Sequence, residues 1–295
     1  MRQLTRVLLL CLLVILGGWV GFFVLFGEDE TPVLRVVRAS GAVRRDGPEA
    51  DDGPLVEGEP LHAQDRVVVG ADGVAILGLG EETRLQLEPN SAIRVLEADL
   101  AGVRIELEEG RVVARVKPAR GGVGLSSRGR AILAEDADFT AAVDGATGDL
   151  SVRTERGAVE VLGVGKPANL PAGQQLWSSP GEEVVRAPIS EELLLSTRWP
   201  EADTISASTT LHLVGKTEPR AWVEVRVDEE PPRPVRAGGD GSFALDLVLA
   251  PGSRRVVVRA RGALGEEREV ERVLEVTSGE APRVQTEVLW GPPSP

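Results

Sequence analysis

The sequence predicts an all-β protein: an N-terminal transmembrane helix, two β domains, and a short linker helix between them. Three observations predict it. An uninterrupted apolar segment opens the chain, apolar residues then recur at every second position in short runs, and turn-forming residues separate those runs.

The opening segment, residues 1–30, reads as a signal anchor. Arg2 and Arg6 precede a run from Val7 through Leu16 and Trp19 to Phe26 that is apolar or glycine throughout. About twenty such residues cross a bilayer as a helix. Glu28, Asp29 and Glu30 follow directly, and basic residues before with acidic residues after place the N-terminus in the cytoplasm. The expectation is a single pass through the inner membrane, with the body in the periplasm. A cleaved signal peptide has a shorter apolar core and a small-residue cleavage site; Gly27-Glu28-Asp29 is not one. Cys11, the one cysteine, follows Leu10 rather than a small residue, which argues against a lipid-modified cysteine, and no disulfide can form within the chain.

Residues 31–186 read as the first β domain. Val67/Val69, Leu85/Leu87, Ile93/Val95, Val103/Ile105/Leu107, Val112/Ala114/Val116, Leu150/Val152 and Val159/Val161 each put apolar side chains on one strand face. Ala71-Asp72-Gly73, Glu88-Pro89-Asn90, Glu109-Gly110, Asp144-Gly145 and Arg156-Gly157 supply the turns. At 187–202, Ser190 suits a helix N-cap, with Glu191 and Glu192 in the first turn, Leu193 to Leu195 behind them, and Trp199-Pro200 as the stop. That predicts the linker helix. Alternation returns over 203–277, in Leu211/Leu213, Val223/Val225/Val227, Phe243/Leu245/Leu247 and Val256/Val258, and predicts a β-sandwich. The proline- and glycine-rich residues 278–295 read as a disordered tail.

The first domain resembles the FecR-like family. The residues that carry the resemblance run from Gly41-Ala42-Val43 and Gln64-Asp65-Arg66-Val67 through Asp72-Gly73-Val74-Ala75 and Pro89-Asn90-Ser91. They continue with Glu106-Leu107-Glu108-Glu109-Gly110, Gly157-Ala158-Val159-Glu160-Val161 and Ala172-Gly173. Asp136-Ala137-Asp138-Phe139 stands where the family often has Gly-Thr-x-Phe. The resemblance implies a roll-like or solenoid-like β domain. The best-known members relay signals to a cytoplasmic sigma factor, and Met1 to Arg6 is too short to hold one, so that role is not expected to carry over. The second domain looks like bacterial Ig-like modules, on Val214-Gly215-Lys216-Thr217, Ala221-Trp222-Val223, Asp240-Gly241-Ser242-Phe243 and Leu249 to Gly252.

A net charge of −13 argues against nucleic acid as a partner. With two histidines, His62 and His212, no tyrosine and no Gly-x-Ser-x-Gly elbow, the chain is not expected to be an enzyme. No metal or cofactor is expected either, because zinc needs three or four His, Cys or carboxylate ligands. Gly215-Lys216-Thr217 lacks the leading glycine of a phosphate loop and reads as a turn. Glu135, Asp136, Asp138 and Asp144 read as a solvated acidic loop. Trp177, Trp199 and Trp222 are the possible ligand contacts; the first two are expected to pack the domains together, and Trp222, out of phase with Val223, to face outward. The leading expectation is a membrane-anchored scaffold contacting an envelope protein or the cell wall. An envelope signalling subunit and a peptidoglycan or glycan binder stand as alternatives. Deleting residues 32–180 is expected to leave a C-terminal module that still unfolds cooperatively in urea; a non-cooperative fragment would move the domain boundary.

Overall fold

The protein is described by a computed structural model covering residues 34–47, 53–99, 102–118, 122–190, 192–200, 204–206 and 210–277. Among them all regular structure is β.

The first domain runs through β1 (Leu34–Ser40), β2 (Val43–Asp46), β3 (Gly53–Pro54), β4 (Arg66–Val69), β5 (Val74–Leu79), β6 (Thr83–Leu87), β7 (Ser91–Asp99) and β8 (Gly102–Val116). It continues with β9 (Gly122–Ser127), β10 (Arg130–Ala134), β11 (Ala137–Val143), β12 (Leu150–Leu162), β13 (Ala168–Pro171), β14 (Gln174–Ser178) and β15 (Val185–Pro188). Two strands are long enough to belong to two sheets. The first half of β8 pairs with β7 and β9, and its second half with β6 and β11. The first half of β12 pairs with β11 and β14, and its second half with β10 and β13. One layer is therefore β1-β5-β6-β8-β11-β12-β14-β15, and the other β3-β2-β4-β7-β8-β9-β10-β12-β13.

Both layers send side chains into one core that includes Leu77, Leu85, Ile93, Ile105, Leu107, Phe139 and Val152. The crossing points follow from backbone chemistry. In β8 the buried positions are 103, 105 and 107, then 112, 114 and 116, so the parity slips by one around Gly110. In β12 it slips between Thr154 and Val159, around Gly157. Gly110 has φ +90° and Gly157 φ +71°, conformations that an L side chain rarely adopts. A Cβ on Gly110 would lie 2.4 Å from the Ser91 Cα. The Ser91 hydroxyl accepts from Arg111 N–H at 2.9 Å and donates to the Arg111 carbonyl at 3.1 Å, so it serves backbone groups beside the bend.

The second domain comprises β16 (Leu195–Arg198), β17 (Thr204–Ser206), β18 (Leu211–Thr217), β19 (Trp222–Val227), β20 (Arg233–Arg236), β21 (Ser242–Leu247), β22 (Gly252–Arg261) and β23 (Glu267–Thr277). They form two sheets, β16-β18-β21 and β17-β23-β22-β19-β20, which face each other over a separate core built on Leu213, Val223, Phe243, Leu247, Val258 and Leu274.

Two expected helices are corrected. Among the described residues of 187–202 there is no linker helix: β15 ends at Pro188, and Leu195–Arg198 is a strand paired with Thr217 to Val214. Leu193 and Leu195 are 2% and 7% exposed while Leu194 is 54% exposed, which is period two rather than 3.6. The pull of the sandwich core on alternate leucines overrides the local capping signals. The transmembrane helix, with Val7, Leu16, Trp19 and Phe26, lies outside the described residues. Among the described residues no helix is long and apolar enough to cross a membrane, so the structure gives that helix no support.

Gly110→Ala is expected to lower the unfolding free energy by about 1–3 kcal/mol, from strained backbone and an overfilled bend. The check is the urea midpoint, and an unchanged midpoint would show that the crossing tolerates a side chain.

Candidate binding site between the two β domains

On β19 the core takes Val223, Val225 and Val227, so Trp222 points to the outer face of its sheet. Its cross-strand neighbours are Arg236 on β20 and Arg261 on β22, which makes a transverse Arg-Trp-Arg row. The Arg236 guanidinium sits 4.9 Å from the Trp222 ring centroid, within cation–π range. The same guanidinium reaches the first domain. Its Nη1 donates to Asp144 and its Nη2 to Asp149 at 3.0 Å.

The acceptors are preset by their own loop between β11 and β12. Asp144 Oδ1 accepts the N–H groups of Ala146 at 2.9 Å and Thr147 at 3.0 Å, and the Thr147 hydroxyl donates to Asp149 at 2.8 Å. Partial burial pushes the Asp144 carboxyl up. The Thr147 N–H, the Arg236 hydrogen bond and the Arg236 charge outweigh it, so its pKa lies below the ordinary 3.8. Two further contacts join the domains. Arg153 on β12 pairs with Glu266, and Arg220 pairs with Glu182 while its Nε donates to the Ser179 hydroxyl at 3.0 Å. Beside these contacts lies a cleft of about 260 Å³, walled by Asn90, Val143, Trp222, Arg236 and Arg261. Trp222 is 48% exposed there, so part of a flat apolar ring is open to a ligand, while the Arg236 guanidinium is held by Asp144 and Asp149 and that of Arg261 by Glu267.

A second hollow, about 570 Å³, lies on the outer face of the first domain, between Val37, Ile76, Arg84, Val113 and Glu155. Val37 and Val113 are exposed there. Burial raises the Glu155 carboxyl above its ordinary value, against one hydrogen bond from the Thr140 hydroxyl at 3.2 Å.

The three tryptophans go to different places. Trp177 is buried on β14, opposite Ser151 and Val185. Trp199 is half-buried against the second core. Trp222 alone of the three lines the cleft. The acidic loop divides: Asp136 and Asp138 hold Arg156, raising its pKa, while Asp144 joins the domain contact. His212 faces Asp246 across exposed strands, and His62 lies near Asp65 in the other domain. Gly215-Lys216-Thr217 ends strand β18 rather than forming a turn. Sequence reasoning missed Arg153, Glu218, Arg236 and Glu266. Arg153 and Glu266 are separated by 113 residues and Arg236 and Asp149 by 87, and nothing local marks such pairs.

Asp144→Asn is expected to cost about 1–3 kcal/mol near neutral pH, as for a hydrogen bond to a charged group. Because the folded pKa of Asp144 is depressed, this contribution is complete above the ordinary value of 3.8 and is lost as pH falls through the folded value. Thermal unfolding of both proteins across pH checks it: the two curves should converge in acid, and curves separated equally at every pH would refute the assignment.

Comparison with solved structures finds two of a candidate anti-sigma factor from Parabacteroides distasonis, at 16% and 17% identity, each with TM-score 0.38 over 42% of this chain. The chain spans 59% of the length of those proteins. A 1.5-MDa bacterial ice-binding adhesin matches at 10% identity and TM-score 0.23, over 74% of this chain and 92% of that one. At such scores these likenesses bear no weight for function. A comparison with curated proteins finds no match. Residues 65–160, from the buried Asp65 just before β4 into the second half of β12, match the FecR protein family.

Proposed function

We propose that this protein is a non-catalytic envelope signalling component that works outside the cytoplasm and receives a partner protein on its FecR domain. The observation that carries the reading is the FecR match over residues 65–160. It favours signalling, the second-ranked expectation, over the bare scaffold ranked first. The hollow at Val37, Val113 and Glu155 supports it, since those residues lie on the outer face of the layer that includes β5, β6 and β8. On this reading the second domain, whose likeness to Ig-like modules remains a proposal, holds the FecR domain in a set orientation through Arg236 and Arg153.

One observation favours a second reading. Trp222 stands half-exposed in a cleft with arginines on both flanking strands, a surface that could stack a sugar ring.

Photo-crosslinking in living cells, from probes at Val113 and Trp222 in separate chains, distinguishes the two. The expected result is one envelope protein captured from Val113. Wall-glycan fragments captured from Trp222, with no protein from Val113, would replace the signalling reading with glycan binding. No specific product from either position would refute both.

A further inference from the structure

Among the described residues three ionic contacts hold the two domains together, and one of them is unbalanced. Arg153 on β12 points away from the first core and pairs with Glu266 in the turn before β23. Glu218, in the turn after β18, is buried in the same contact at 7% exposure. A Cβ placed on Gly262 would lie 2.8 Å from Glu266 Oε2 and 3.2 Å from Glu218 Oε2, so the two carboxylates flank one glycine. Glu266 Oε2 is buried with no hydrogen-bond partner. Gln175, the cross-strand neighbour of Arg153, is buried beside them, and its Nε2 donates to the Pro188 carbonyl at 3.3 Å.

The charges facing this pair come from every element packed there. From the first domain, Arg153 is engaged with Glu266, and Arg111 lies against Gly265. Arg111 is also 3.6 Å from Glu88. From the second domain, Arg220 follows Glu218 by two residues but is taken by Glu182. Two carboxylates therefore face Arg153 away from water, and the arginine's own Nε is buried without a hydrogen-bond partner. Removing water from an unbalanced charge costs several kcal/mol unless the group neutralises. For a carboxylate the available route is to take up a proton.

We propose that the two β domains close on one another with uptake of one proton at Glu218, so that pH sets how firmly the FecR domain is held. Protonating Glu218 would leave the single negative charge of Glu266 for Arg153. Opening would let water in and release the proton. Burial first, and the Glu266 charge second, raise the Glu218 pKa above its ordinary 4.5, against Arg153 and Gln175.

The sign follows from proton linkage. The closed form binds more protons than the open form, so closure is favoured in acid and weakens as pH rises above 4.5 and through the raised value. The Asp144–Arg236 contact works the other way but is lost only below 3.8, so it holds through this window. The inference stands whether or not the protein signals.

The test is the distance between spin labels on cysteines at the exposed positions Glu57 and Glu229, in the full chain carrying Cys11→Ser, at pH 5 and pH 8. The closed-to-open ratio should fall with rising pH, by at most about tenfold per pH unit, the limit for one linked proton. Glu218→Gln should stay closed at both values. Glu266→Gln, which frees Arg153 for Glu218, should also lose the pH dependence and carries the test if Glu218→Gln fails to fold. A wild-type distance unchanged between pH 5 and pH 8 would overturn the proposal, as would a slope that persists in the folded variants.

Discussion

The first domain depends on strands β8 and β12 passing from one layer to the other without breaking. A strand that stayed in one layer would need its partners across the core to come from elsewhere in the chain. Here one continuous backbone contributes to both layers, so the layers are covalently registered. The constraint falls on the backbone at Gly110 and Gly157, whose positive φ angles turn the strand while the ladder continues on either side. Phe139, Ile105 and Val152 come from different layers yet share one core because of those two turns.

The same geometry creates the surface used by the second domain. With Val152 and Thr154 turned inward, Arg153 must point out from β12, and Gln175 does so beside it on β14. The loop between β11 and β12 carries Asp144 and Asp149 at one end of that layer. The second domain meets these groups with Arg236, Arg220, Glu218 and Glu266, all on one end of its sandwich. Interfaces of this polar kind permit relative motion, unlike a large apolar seam. The contact therefore suits regulation by charge, while each domain keeps its own apolar core.

The linker shows how local and tertiary signals can compete. Ser190 with two glutamates behind it is a sound N-cap pattern, and three leucines in a row suit a helix as well as a strand. Nothing in that window says which face is buried. The choice was made by β18, which offers Thr217 to Val214 as a ladder partner, and by the second core, which takes Leu193 and Leu195. The cost of leaving two leucines in water exceeds the small gain of one cap.

Strand positions were legible in the sequence because burial in a two-layer β domain imposes period two, and the runs at Val103, Val112, Leu150 and Val159 lie inside the observed strands. The crossings were not legible: Glu109-Gly110 and Arg156-Gly157 read as turns between strands, whereas β8 and β12 run on through them. The outward position of Trp222 was legible from period two, being out of phase with Val223. What only the tertiary structure decided was the meeting of Arg236 with Asp149 and of Arg153 with Glu266, pairs 87 and 113 residues apart. Periodicity reports which face of a strand is buried. It carries no information on which distant charges a folded surface brings together, because that depends on the assembled layers and not on any local run of residues.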